Sequence, residues 1–139
     1  MPASVPLAKD RDHARPPATV LVVDDEELVR EMAATFLSMT GYHVIEASSA
    51  DEAVDVLDRT TAVDVVFTDL RMPGRLDGIG LARWVRDHRP QTRVLITSGY
   101  TSRAQQVVEV SNSPLIPKPY RPEDVVQRVR ALTAGAGVH

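Results

Sequence analysis

Five short apolar runs alternate with five helix-patterned stretches, at intervals of about 20–25 residues, and this alternation constrains the fold more than any other feature. The runs are Thr19–Val23, His43–Ala47, Val63–Thr68, Arg93–Thr97 and Pro114–Pro117. Each is followed by apolar residues at three- and four-residue spacing, the mark of one buried helix face. Strand, crossover helix and next strand return in parallel with right-handed geometry, so the pattern predicts a parallel sheet with helices on both sides. The units share a pattern and no sequence, so they are not an internal repeat.

Residues 1–17 hold four prolines and no periodicity, and read as a disordered tail ending at Pro16-Pro17. One domain is expected over residues 18–133. Its first helix runs from Glu26 to Thr40, with Val29, Met32, Ala33, Phe36 and Leu37 inward and Gly41 as a stop. Ser48 or Ser49 caps the second helix, whose first turn carries Asp51 and Glu52 and whose inner face is Ala50, Ala53, Val54 and Leu57. The third follows Asp77-Gly78, carries Ile79, Leu81, Ala82 and Val85, and ends before Pro90. Residues 101–110 form a weaker fourth helix with Ala104, Val107 and Val108 inward. The prolines of the fifth run predict an edge strand. Pro122 suits the first turn of a last helix with Val125, Val126, Val129 and Leu132 inward, and residues 134–139 are expected to fray.

Composition excludes several function classes. A net charge of −3 offers no electrostatic case for nucleic acid or an anionic membrane. The absence of cysteine removes disulfides, thiol catalysis and thiolate metal sites, and leaves cytosol as the default compartment. No apolar run approaches the roughly 18 residues of a membrane span. The first residues lack the continuous hydrophobic region of a secretory signal.

Chemistry concentrates at the ends of the runs. Asp24-Asp25 follow the first, Asp69 the third, Ser98 the fourth and Lys118 the fifth. Alone, Asp24-Asp25 read as a helix cap, Asp69 as a turn aspartate, Ser98-Gly99 as a turn and Lys118 as a surface lysine. In a parallel sheet all these ends share one edge, where open α/β sheets bind ligands. The flavodoxin-like order 2-1-3-4-5, adopted by analogy rather than from spacing, makes the first and third strands neighbours. Three carboxylates then meet, and their repulsion calls for a cation or a proton. With no thiol or histidine at that edge, hard oxygen ligands point to Mg2+. His13, His43, His88 and His139 fall elsewhere by topology, and Trp84 reads as partial packing.

The stretches VLVVDD, FTDLRMPG, LITSG and PKP, in this order and spacing, resemble the receiver domain of bacterial response regulators over roughly residues 18–133. The resemblance implies a flavodoxin-like (βα)5 fold, with Asp69 accepting a phosphoryl group from a histidine kinase or a histidine phosphotransfer protein. It implies that Asp25, Asp69 and the Arg71 backbone carbonyl bind Mg2+ directly, with Asp24 acting mainly through water. Ser98 is then the switch hydroxyl and Lys118 the contact to the phosphoryl oxygens. Alternation along the fourth run, with small Gly99 next, selects Ser98 over Thr97 as that hydroxyl. Lys118-Pro119 is a candidate cis bond. Such chemistry needs positioning and charge neutralisation more than a strong nucleophile.

Some residues depart from the family pattern. Leu115 stands where many members carry a switching Tyr or Phe, and the span from Ser98 to Lys118 is slightly short, which predicts a truncated fourth helix. DLRMPGRLDG is one residue longer than the commonest loop, and TSGY is similar to receivers fused to hybrid histidine kinases. Arg71 and Tyr100 are placed to flank an attacking water, so a slowed hydrolysis of the acyl phosphate is the hypothesis there. Replacing both with small residues and finding no faster dephosphorylation would remove it.

The expectation is a stand-alone cytoplasmic receiver, since few residues follow Ala131 for a DNA-binding domain. It signals by protein contact to an unknown partner, as a monomer or a phosphorylation-dependent dimer, without nucleic acid or membrane insertion. It is no enzyme beyond its own phosphorylation and dephosphorylation. A pseudo-receiver is the second reading, opposed by the intact acidic, hydroxyl and lysine set. A Mg2+-dependent phosphatase is the third, disfavoured because Arg71 stands where a second acid is wanted.

Overall fold

A computed structural model describes residues 17–60, 62–99 and 102–138, with side chains as far as Ala134. Most of the expected tail therefore lies outside the described residues. The strands are β1 (Thr19–Val23), β2 (His43–Ala47), β3 (Val65–Asp69), β4 (Arg93–Ser98) and β5 (Ile116–Pro117). The helices are α1 (Glu27–Met39), α2 (Ala50–Arg59), α3 (Gly78–His88), α4 (Ala104–Ser111) and α5 (Pro122–Val138). All pairings are parallel and the order is β2-β1-β3-β4-β5. The expected doubly wound architecture is the observed one.

Near-continuous apolar runs suit strands buried on both faces. Alternation along β1 sends Leu21 and Val23 into a core shared with α2, α3 and Val107 of α4. Val20 and Val22 enter a second core built with Ala33 and Leu37 of α1 and Val125, Val126 and Val129 of α5. Fully burying one such side chain contributes about 1.5–3 kcal/mol, so these two layers hold the sheet edge rigid beneath the site.

Several helix faces differ from expectation. Met32 is 56% exposed and Val108 44% exposed, although both were expected inward. On α1 the seat against the sheet is Ala33, Ala34 and Leu37, which turns Met32 about 100° away from the contact. On α4 only Val107 is buried, so the adjacent Val108 faces out. Val56 joins Ala50, Ala53 and Leu57 in the buried face of α2, and Val54 packs against the same core while partly exposed. The last helix spans Pro122–Val138 and so includes most of the residues expected to fray.

Candidate functional site

Strand register decides which side chains meet. Val23 pairs with Thr68, so Asp24 and Asp69, each one residue further on, stand side by side at the carboxyl edge. Asp69 itself pairs with Thr97, and Ser98 with Pro117, which brings Ser98 and Lys118 to that edge from the other side. Carboxylate oxygens of Asp24, Asp25 and Asp69 lie within 4.8 Å of one another. Lys118 reaches across to them, its Nζ 2.9 Å from Asp69 Oδ2 and 3.6 Å from Asp24 Oδ2. The amide of Arg71 donates to Asp69 Oδ1 at 3.3 Å, while the Arg71 side chain is exposed. Tyr100 lies outside the described residues.

The two hydroxyls of β4 are both buried but have different surroundings. Thr97 donates to the Ile116 carbonyl at 2.7 Å, across to β5. The Ser98 carbonyl accepts from the Lys118 amide at 2.9 Å. The Lys118–Pro119 peptide is cis. Helix α4 has eight residues, which matches the short span noted in the sequence.

Burial is the largest influence on Asp24 and raises its pKa, and the charges of Asp69 and Asp25 push the same way. The Glu26 amide, 2.9 Å from Oδ1, and the Lys118 ammonium oppose that rise without cancelling it. Burial pulls Lys118 down, yet the hydrogen bond and charge of Asp69, with the charge of Asp24, outweigh it and leave the ammonium favoured. Tyr120 packs edge-on against Phe67 at 5.5 Å, and burial first, then the carboxylate charges, push its phenol up to about 12. One lysine therefore under-compensates the acids. An all-oxygen donor set with residual negative charge fits a hard divalent cation such as Mg2+.

Sequence reasoning misses two supports of this edge. Arg30, on α1, donates from Nη1 to the Asp24 carbonyl at 2.9 Å and from Nε to Glu46 Oε1 at 3.0 Å. No local pattern announces it, because its partners come from the β1 turn and from β2. Gly78 begins α3 so close to Asp69 that any side chain would meet the backbone there. The Asp77-Gly78 pair signals only a helix start. Asp77 does cap α3 by accepting from the Gly80 amide at 2.8 Å, and it also meets Arg103, before α4, at 3.4 Å.

The family model for the response regulator receiver domain matches residues 20–130. The chain belongs to the response regulator receiver family. Among curated relatives of this receiver, the transcriptional regulatory protein ResD of Bacillus subtilis is 34% identical over 114 residues, covering 81% of this chain and 47% of ResD. The response regulator MprA of Mycolicibacterium vanbaalenii is 34% identical over 118 residues, covering 84% of this chain and 50% of MprA. The receiver thus spans about half the length of these relatives. Among solved structures, a receiver domain protein from Clostridium thermocellum superposes with a TM-score of 0.80 at 25% identity, over 87% of this chain and 98% of that one. The receiver domain of the Francisella response regulator 1452 gives 0.78 at 26% identity, over 86% and 98%. No helix among the described residues is long and apolar enough to cross a membrane.

Proposed function

We propose that Asp69 accepts a phosphoryl group from a phosphohistidine of a histidine kinase or histidine phosphotransfer protein, in a Mg2+-dependent reaction, and that the phosphorylated receiver signals by protein contact in the cytoplasm. The observation that carries this reading is the Asp69 carboxylate, ion-paired to Lys118 at 2.9 Å among the oxygens of Asp24 and Asp25. Asp25, Asp69 and the Arg71 carbonyl would hold Mg2+, with Asp24 acting through water, and the bound ion would neutralise phosphoryl oxygens.

An Asp69 oxygen attacks phosphorus, the donor's N–P bond breaks and its electron pair stays on the imidazole. Lys118 trades part of its contact with Asp69 for a phosphoryl oxygen. The new negative charge draws the Ser98 hydroxyl, and β4 carries that movement toward α4 and β5. A protein donor is supported by α1, whose Leu28, Met32 and Met39 are 80%, 56% and 76% exposed on one face that starts at the site edge.

Incubation with Mg2+ and acetyl phosphate or phosphoramidate tests the reading. Intact mass should rise by one phosphoryl group in an acid-stable, base-labile adduct that is absent from Asp69→Asn and prevented by EDTA. No adduct on the wild type would leave a pseudo-receiver, and rapid multiple turnover on phosphate esters would make it a phosphatase.

A further inference from the structure

The fifth strand carries the lysine on which the site depends, yet it is the least secured strand of the sheet. It has two residues, and the segment Pro114-Leu115-Ile116-Pro117-Lys118-Pro119 lacks an amide proton at every proline. Pro117, opposite Ser98, can donate nothing to β4. The Lys118 amide bonds to the Ser98 carbonyl at 2.9 Å. Thr97, a residue only 1% exposed, adds a side-chain bond of 2.7 Å from its hydroxyl to the Ile116 carbonyl, two residues before the lysine. At the other end of the segment, Arg128 of α5 donates to Ser113 Oγ at 2.8 Å and to the Pro114 carbonyl at 2.6 Å. Arg128 therefore fixes where the segment enters, and Thr97 fixes where it delivers Lys118.

We propose that Thr97 is a positioning residue for phosphoryl transfer. Through Ile116 its hydroxyl anchors β5 and holds Lys118 Nζ against Asp69. This rests on the phosphoacceptor reading of Asp69. It gives the two hydroxyls of β4 separate tasks, with Ser98 answering the phosphoryl group and Thr97 holding the cation that neutralises it. Thr97 also pairs directly with Asp69 in the β3–β4 register, so one residue spans nucleophile strand and lysine strand. A buried carbonyl that loses a donor is costly, so the segment shifts when the hydroxyl is removed.

The test compares Thr97→Val and Thr97→Ala, which remove the hydroxyl, with Thr97→Ser, which keeps it. Phosphorylation by acetyl phosphate should slow about tenfold in Val and Ala and recover in Ser, as expected for slight misplacement of a charge-neutralising group. Mg2+ affinity by calorimetry should not fall, because the proposed ligands lie in the turn after β1, at the end of β3 and in the loop that follows, and withdrawing Lys118 from Asp69 removes a competing cation. In a Lys118→Ala background, Thr97→Val should add little further loss. Exchange of the Lys118 amide by NMR should quicken in Val and Ala and stay slow in Ser. Equal loss in all three variants, full additivity with Lys118→Ala, or unchanged exchange at Lys118 would overturn the assignment. A wild type that takes no phosphoryl group would overturn the phosphoacceptor reading instead, and amide exchange would still decide whether Thr97 holds the strand.

Discussion

Gly78 lies against the backbone of Asp69 so closely that a Cβ there would stand 2.5 Å from the Asp69 carbonyl oxygen and 2.8 Å from Leu70 Cα. The Gly78 amide also donates to the Leu70 carbonyl at 2.8 Å, closing the loop that follows β3. Both obstacles are backbone, so neither can rotate aside. Gly78→Ala should destabilise the fold by about 1–3 kcal/mol, as overpacking does, and displace Asp69. Gly80→Ala is the control, since the only close approach of its Cβ is to the flexible Leu76 Cδ2 tip at 3.0 Å, with Asp77 Oδ1 and Leu76 Cβ at ordinary contact distances of 3.5 and 3.7 Å. It gains up to about 1 kcal/mol of helix propensity. Urea denaturation of the two variants should separate them, with only Gly78→Ala also slowing phosphorylation by acetyl phosphate.

Asp24 is buried beside two other carboxylates, with Lys118 as the only cation in ion-pair contact with it among the described residues. Removing its charge relieves burial and repulsion while an amide oxygen still accepts from Glu26. Asp24→Asn should therefore melt higher than wild type in EDTA. Added Mg2+ should raise the wild-type melting temperature and raise that of Asp24→Asn much less, because binding stabilises only a site that retains its negative charge. Melting curves with and without Mg2+ check both halves. A variant no more stable than wild type in EDTA would show that Lys118 alone balances the cluster.

The main acidic, hydroxyl and lysine residues of the site are legible in the sequence because each ends an apolar run, and strand topology does the rest. Asp24 and Asp69 need only parallel pairing of β1 with β3 to meet. Arg30 is invisible by the same logic, since its guanidinium joins the Asp24 carbonyl to Glu46, sixteen residues away, and neither partner leaves a periodic trace. Met32 and Val108 mislead because apolar residues occupy both faces of α1 and α4, and periodicity alone cannot say which face meets the sheet. Thr97 is visible only as a rival to Ser98, because its bond to Ile116 depends on how a two-residue strand sits against β4.

Helix α2 carries a pH-sensitive cap. Ser49 Oγ accepts from the Glu52 amide at 3.1 Å, while the Glu52 carboxylate receives the Ser48 amide at 2.6 Å and the Ser48 hydroxyl at 2.9 Å. The backbone bond first, then the hydroxyl bond, hold the Glu52 carboxyl below its ordinary 4.5. A depressed acid stabilises the fold above its unfolded value, and that contribution is lost as pH falls from 4.5 through the lower folded value. Because Glu52 is mostly exposed, solvent screening keeps the pH-linked part small. Glu52→Gln should lose about 0.5–1 kcal/mol at neutral pH, within the usual range for capping interactions, and its stability should vary less with pH than wild type between pH 5 and 3. Urea unfolding across that window makes the comparison, and parallel curves would remove the cap from the account.

Arg30 ties together three parts of the molecule: α1, the turn carrying Asp24-Asp25, and Glu46 of β2. Its side chain is only 16% exposed, so its bonds are better protected than an exposed ion pair, although Glu46 is 41% exposed and partly screened. The charge-assisted bond to the Asp24 carbonyl fixes the backbone from which two of the three clustered carboxylates project. Arg30→Ala should cost about 1–3 kcal/mol of stability and lower Mg2+ affinity severalfold. Arg30→Lys should recover only part of both, because an ammonium cannot reproduce the planar fork that reaches the carbonyl and the carboxylate together. Glu46→Gln separates the two contacts. It leaves the Asp24 bond intact and should retain Mg2+ affinity while losing some stability. If Glu46→Gln weakens Mg2+ as much as Arg30→Ala, the effect runs through β2 and not through the Asp24 carbonyl.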